Sequence, residues 1–295
     1  MHIISKGRLL VVAAALLVAV AAWPHRALAS FRGENGRLAF TWSHQPEDVD
    51  TDEIASVDSS GGDLRPLAGC DYECHHHFAD WSPSGRRIVY AHDWEEQEWI
   101  ATVRADGTGR KVIVRNGWFL APVWSPSARW IAFIKWWSGP EDELRSDIYL
   151  VRRDGTHLRR VTRTRAAETD LDWSSHNRLA FIRGGDLFTM RPDGSGLQRL
   201  TDTAETEGAP DWAPGGRRLT FDRSGYVWRM TPSTGAEAMV AAGGASPTWA
   251  PDGSRIAYLG DGGIRTVKPS GADDTLLGRP RPRMSELDWQ PRPGR

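Results

Sequence analysis

The feature that most constrains this chain is a tryptophan that returns six times in one setting. The six copies are Asp80-Trp81-Ser82-Pro83, Val123-Trp124-Ser125-Pro126, Asp172-Trp173-Ser174, Asp211-Trp212-Ala213-Pro214, Thr248-Trp249-Ala250-Pro251 and Asp288-Trp289-Gln290-Pro291. They are separated by 43, 49, 39, 37 and 40 residues. Recurrence at this interval marks a supersecondary unit that cannot bury its apolar face alone and must stack on copies of itself. Aromatic rings supply large buried areas. The six Trp are therefore expected between neighbouring units, as core rather than as site.

Each Trp is followed by the same sequence of elements. A short β-type run comes first, as in Arg87–Tyr90, Trp130–Phe133, Arg178–Phe181, Leu219–Phe221 and Arg255–Tyr258, with a sixth copy at Arg37–Phe40. A run that alternates apolar and polar residues follows: Ile54–Asp58, Trp99–Arg104, Asp147–Val151, Asp186–Met190, Tyr226–Met230 and Gly263–Val267. Period-two alternation ending in Asp-Gly or Ser-Gly predicts hairpin strands. Fourth runs such as Leu158–Thr162 and Leu197–Thr201 close the units. In Ser82-Pro83-Ser84-Gly85 and Ala250-Pro251-Asp252-Gly253, Pro presets φ for a turn and Gly tolerates its end. Six units of four strands predict an all-β, six-bladed β-propeller with four antiparallel strands per blade. The first unit lacks its first strand, and Leu287–Gln290 supplies only a first strand. The ring is thus expected to close by pairing of the N- and C-terminal strands, which leaves no open sheet edge.

Residues 1–29 read as a signal peptide: Lys6 and Arg8, an unbroken apolar run from Leu9 to Trp23, then Pro24 and the small residues of Ala27-Leu28-Ala29. The run is short of the roughly 20 residues a membrane span needs. An uncleaved N-terminal anchor is the alternative. Residues 30–295 then form the propeller, exported to the periplasm, the cell envelope or the medium, with no stable membrane span once the leader is gone. Lys and Arg number 37 against 38 Asp and Glu, so no basic surface points to nucleic acid. The two cysteines, Cys70 and Cys74, are close together in the exported part, which favours a disulfide.

The pattern W-S/A-P-x-G, then R-I/L-A-F/Y, then I-Y-x-V/M-x-x-D-G resembles the propeller repeat of TolB-like, WD-repeat-like proteins. Trp249-Ala250-Pro251-Asp252-Gly253-Ser254-Arg255-Ile256-Ala257-Tyr258 and Asp147-Ile148-Tyr149-Leu150-Val151 carry the resemblance most closely. It spans about residues 36–291 and implies the fold far more than any activity. Such propellers occur as exported binding proteins, as the non-catalytic part of serine peptidases and in polysaccharide lyases. Unlike TolB itself, the chain is expected to carry no separate α/β domain ahead of its repeats.

Within a blade, the connections between strands two and three share a face with those between blades. The former are long in the first three units, Thr41–Thr51, Ala91–Glu98 and Ile134–Ser146, and two to four residues elsewhere. Aromatic and imidazole side chains crowd this sector, which makes Trp42, His44, His92, Trp94, Trp118, Trp136 and Trp137 candidate binding residues. His75 and His77 would point the same way on an extended strand and are candidate metal ligands, with His92 or His44 as a third donor. No Gly-x-Ser-x-Gly elbow and no Walker or dinucleotide glycine loop is present. The expected protein is a monomeric, non-enzymatic binding scaffold without a cofactor, presenting blades 1–3 to a protein or glycan. The alternative is a metal-assisted polysaccharide lyase or hydrolase that uses the His residues of that face.

Overall fold

The computed structural model describes residues 31–44, 51–69, 75–93, 98–138, 144–277 and 284–292. The leader, Cys70, Cys74 and Trp94 lie outside them. The described residues form strands and turns, with no helix among them. Three strands come first: β1 (Glu34–His44), β2 (Thr51–Val57) and β3 (Arg65–Ala68). Complete groups of four follow. They are β4 (His75–Trp81) to β5 (Arg87–Asp93), β6 (Trp99–Arg104) and β7 (Lys111–Arg115); then β8 (Trp118–Trp124), β9 (Trp130–Ser138), β10 (Leu144–Arg152) and β11 (Arg159–Arg160). Next are β12 (Glu168–Trp173), β13 (Leu179–Arg183), β14 (Asp186–Met190) and β15 (Gln198–Arg199), then β16 (Glu207–Trp212), β17 (Leu219–Arg223), β18 (Tyr226–Thr231) and β19 (Ala236–Ala242). The last group is β20 (Gly244–Trp249), β21 (Ile256–Gly260), β22 (Gly263–Val267) and β23 (Thr275–Leu276), and β24 (Met284–Arg292) is the last described strand.

The four groups from β8 to β23 are separate four-stranded sheets with strands paired in chain order. The remaining strands form one larger sheet, in which β24 pairs antiparallel with β1 and sets Leu38 opposite Trp289. That sheet is two four-stranded sets joined at β2 and β4 by a single parallel bridge, Asp52 to His75. Four-stranded antiparallel sheets throughout are the architecture a propeller requires.

The core lies between the groups. Among the described residues it divides into six clusters, five drawn mainly from two consecutive groups and one from the first and last groups. Trp81 packs with Ile54 and Leu67, Trp124 with Val89 and Ile100, Trp173 with Ile134 and Ile148, and Trp212 with Ala180 and Leu187. Trp249 packs with Val227 and Val240, and Trp289 with Ala250, Ala257 and Ile264. All six repeat Trp are buried. Each ring removes about 150–250 Å² from water, a gross gain of roughly 4–6 kcal/mol at about 25 cal/mol per Å².

The long connections of the first and third groups differ from expectation. Much of each is strand: His44 pairs with Thr51 and Ser138 with Leu144, so the hairpins project as extended ladders. The apolar and aromatic residues of Trp130-Ile131-Ala132-Phe133-Ile134-Lys135-Trp136-Trp137 favour continued pairing over a loop.

Candidate functional site

The first strand of each group carries a local break. Three residues before each repeat Trp the backbone turns left-handed: Phe78 (φ 57°), Ala121 (45°), Asp170 (45°), Ala209 (45°), Ser246 (49°) and Glu286 (58°). Register shifts accompany the break in β4, β8, β12, β16 and β20. A bulge bends its strand and leaves backbone groups out of the ladder. Here it turns residues of all six strands toward one cavity of about 410 Å³.

The Asp of the Asp-Trp pairs joins one group to the next. Carboxylates of Asp80, Asp172, Asp211 and Asp288 accept the backbone N–H of Trp124, Trp212, Trp249 and Trp81, at 2.6–2.7 Å. Two groups have Val123 and Thr248 in place of the Asp. The Trp one group further on, Trp173 and Trp289, then donates to its own neighbour, Asp172 or Asp288, at 2.6 and 2.8 Å. Burial pushes all four carboxyls up, Asp172 to about 6 and Asp288 to about 7.

Three further acids line the cavity: Asp170, Asp222 and Glu286. Glu286 accepts the N–H of Phe78 at 2.6 Å and the Thr41 hydroxyl at 2.7 Å. Asp222 accepts the N–H of Ser246 at 2.9 Å. Burial raises the pKa of all three. No Lys or Arg is among the described residues that line the cavity. Such a site suits a cationic or hydroxyl-rich ligand.

A second cluster sits where β2 meets β4, one residue from the cavity wall. Strand alternation puts His75 and His77 on one face and His76 on the other. The ring of His75 lies 6.1 Å from that of His77, parallel to it. Asp52 supplies the third donor: its Oδ2 is 2.8 Å from His75 Nδ1 and 3.7 Å from His77 Nε2. One donor atom from each of the three residues lies within 4.8 Å of the others. Asp93 comes from β5, with Oδ1 3.6 Å from His77 Nε2. Burial would lower the pKa of His77, but Asp93, Glu286 and Asp52 outweigh it and raise it. Burial likewise opposes ionisation of Asp52, yet its bonds to Ser43 and His75 hold its pKa below the usual carboxylate value.

The remaining sequence candidates are dispersed. His92 does not join the cluster. It stands opposite His76 in the ladder and stacks on Trp99 at 4.2 Å, where burial lowers its pKa to about 4. His76 is buried among Tyr90, His92 and Trp99, and burial takes it to about 3. His44 closes β1 opposite Thr51. Trp118 is 52% exposed and lies opposite Trp136. Trp136 and Trp42 lean against core clusters, and Arg160 covers the Trp137 ring at 4.9 Å. Nothing in the repeat spacing singles out Asp52 or the cavity acids. The one available signal was position, since Asp170 and Glu286 both precede a repeat Trp by three.

Among the described residues no helix is long and apolar enough to cross a membrane. No curated protein matches the sequence. Several solved structures match the fold at low identity. TolB from Acinetobacter baumannii superposes with a TM-score of 0.73 at 17% identity, over 87% of this chain and 67% of that one. A nidogen/laminin complex gives 0.65 at 11%, over 86% and 98%. An oligogalacturonate lyase in complex with manganese gives 0.56 at 10%, over 84% and 86%. The family model described as the TolB beta propeller domain matches residues 35–267, and the chain belongs to that family.

Proposed function

We propose that this chain is an exported, monomeric, six-bladed propeller that acts as a binding module. It takes a protein or glycan on the face that carries the cavity mouth, over the first three blades. The β1–β24 pairing, the core cluster shared by the first and last groups, and the Asp288–Trp81 bond support closure of the ring. Residues 1–29 direct export to the periplasm, cell envelope or medium and are removed.

The observation that carries the binding reading is the cavity itself. Residues of six strands converge on one carboxyl-lined space, and Trp118, on the strand that contributes Ala121 to it, has an exposed ring. Aromatic faces beside carboxyl groups recognise sugar rings and cationic side chains. Binding to a glycan array and to fractionated envelope proteins tests it. The wild type should give a discrete ligand that is lost in Trp118→Ala and in a variant with the 134–146 hairpin shortened, both keeping the far-UV spectrum of the ring. Equal binding by all three overturns the reading.

A second reading has one observation in its favour, the convergence of Asp52, His75 and His77. It is a metal-assisted lyase or hydrolase acting on polysaccharide. Turnover of an acidic oligosaccharide that needs added divalent metal would carry it, and its absence across several uronate polymers would remove it.

A further inference from the structure

The junction of the first two strand sets holds donors from both sets in a metal-like arrangement. Asp52 is on β2, His75 and His77 are on β4, and among the described residues the ladder link between the sets is the Asp52–His75 bridge. A tetrahedral zinc ion takes nitrogen and oxygen donors at about 2.0–2.2 Å, which places neighbouring donors roughly 3.3 Å apart. The Asp52–His75 distance of 2.8 Å, a hydrogen bond whose bridging proton the ion would replace, and the Asp52–His77 distance of 3.7 Å bracket that value, and the two imidazole donors lie within 4.8 Å of each other. All three side chains are partly exposed, so an ion can enter and water can complete its shell.

We propose that Asp52, His75 and His77 bind one divalent transition-metal ion of the zinc class, leaving a coordination position open to water or ligand. Two imidazole nitrogens with a carboxylate oxygen suit a borderline-soft ion better than calcium or magnesium, which favour oxygen alone. One carboxylate ligand offsets half of the dication's charge. Asp93, beside His77, brings a second negative charge and an acceptor for a metal-bound water. Ser43 bonds Asp52 and fixes its carboxylate from behind, the outer-shell support that ligating groups need. The strand bulge at Phe78 contributes too. It follows directly after His77, so the two ligands keep a common face before the chain turns into the cavity. The ion would tie β2 to β4 across a junction that otherwise has one bridge. It would also present its open position beside the carboxyl-lined cavity. The lyase or hydrolase reading requires this ion and the binding reading does not; because the readout is bound metal, the proposal can stand when either reading fails.

The test uses the tag-free full chain, stripped with chelator and titrated with zinc sulfate by calorimetry, with bound metal measured by mass spectrometry. The expected result is one equivalent of zinc. His75→Ala/His77→Ala should weaken it at least about 100-fold, and Asp52→Asn at least about 10-fold, by comparison with the roughly 10–100-fold that outer-shell losses cost. His157→Ala and Cys70→Ser/Cys74→Ser should bind as the wild type does. Cobalt in the same site should give an absorption spectrum without a thiolate charge-transfer band. Substoichiometric zinc, binding unchanged in the His pair variant, or binding lost in the Cys pair variant overturns the proposal. If the His pair variant fails to fold, Asp52→Asn and the cobalt spectrum decide.

Discussion

The Asp-Trp bonds allow a graded perturbation, because the four aspartates do unequal amounts of bonding. Asp80 and Asp211 each accept one Trp N–H, from Trp124 and Trp249. Asp172 and Asp288 each accept two: Asp172 from Trp212 and Trp173, Asp288 from Trp81 and Trp289. Replacement by Ala strands those donors in the core. A buried donor left unmade costs about 1–3 kcal/mol. Asp80→Ala and Asp211→Ala should therefore lose about 1–3 kcal/mol, and Asp172→Ala and Asp288→Ala about 2–6 kcal/mol. All four also shed the cost of burying a carboxyl, and Asp80 and Asp211, pushed up by burial and by the charges of Asp172 and Asp288, shed it as well as losing fewer bonds, which reinforces the order. Equilibrium urea unfolding at pH 7, followed by tryptophan fluorescence, reads the differences. Asp288→Asn keeps one acceptor oxygen and should fall between wild type and Asp288→Ala. Four equal losses, or larger losses at Asp80 and Asp211, would refute the bonding scheme.

Other outcomes follow from the same packing. Asp172 and Asp288 have folded pKa values near 6 and 7, above the usual aspartate value of 3.8. Their contribution is therefore complete below about pH 4 and is lost as pH rises through 6 to 7; unfolding midpoints across pH 4–8 should slope less in Asp288→Asn than in wild type. Glu168 is buried, accepts the N–H of Ile148 and the Thr162 hydroxyl, and pairs with Arg183 at 2.5 Å. Glu168→Ala should cost about 3–5 kcal/mol in urea unfolding, and Glu168→Leu/Arg183→Leu should recover most of it. Gly85 and Gly225 both have positive φ, but only at Gly85 would an added Cβ press on a backbone atom, the Pro291 oxygen of β24. Gly225→Ala should cost about 1–2 kcal/mol, and Gly85→Ala clearly more by thermal unfolding. Asp170→Asn should alter ligand binding at the cavity with little change in stability, while Glu286→Gln should lower the unfolding midpoint.

The strands were legible because their signals recur. β6, β14 and β22 begin and end where alternation and turn residues place them, at Trp99–Arg104, Asp186–Met190 and Gly263–Val267. The Asp before Trp was visible in four of six repeats, but its acceptor role was not, since the partner lies 38–44 residues away for Asp80, Asp172 and Asp211 and 207 away for Asp288. The hairpins were harder. Residues 41–44 and 134–138 read as loops because their aromatic and polar residues suit either an extended ladder or an exposed connection. His92, expected with His44 as a possible third metal-type donor, falls elsewhere for a matter of parity. Register sets His92 opposite His76, on the far face from His75 and His77, and Asp93 opposite His75. One residue of slip would exchange them, and the register depends on a bulge at Phe78 that no local propensity announces.

That bulge explains why the cavity can carry chemistry while the repeat stays intact. The six residues at the break are Phe78, Ala121, Asp170, Ala209, Ser246 and Glu286, six positions with five residue types. What they share is a backbone conformation, so the fold constrains φ there and leaves the side chain free. A bulge also releases N–H groups from the ladder, and buried ones need acceptors. Glu286 meets that need at Phe78, and Asp222 meets it at Ser246. Those two acids are thereby bound into the architecture. Asp170 bonds only its neighbour Thr169, yet burial and the Asp222 charge hold its carboxyl above the usual range. Among the described residues, Asp170 lines the cavity without an inter-group bond of the kind Glu286 and Asp222 make, which makes it the acid to replace when ligand binding is tested. It also occupies the left-handed region that Asn tolerates, so its charge is removable without disturbing the bulge. Asp170→Asn is thus the substitution expected to separate ligand binding from structure on this face: altered binding with an unchanged unfolding midpoint supports that separation, and a lowered midpoint refutes it.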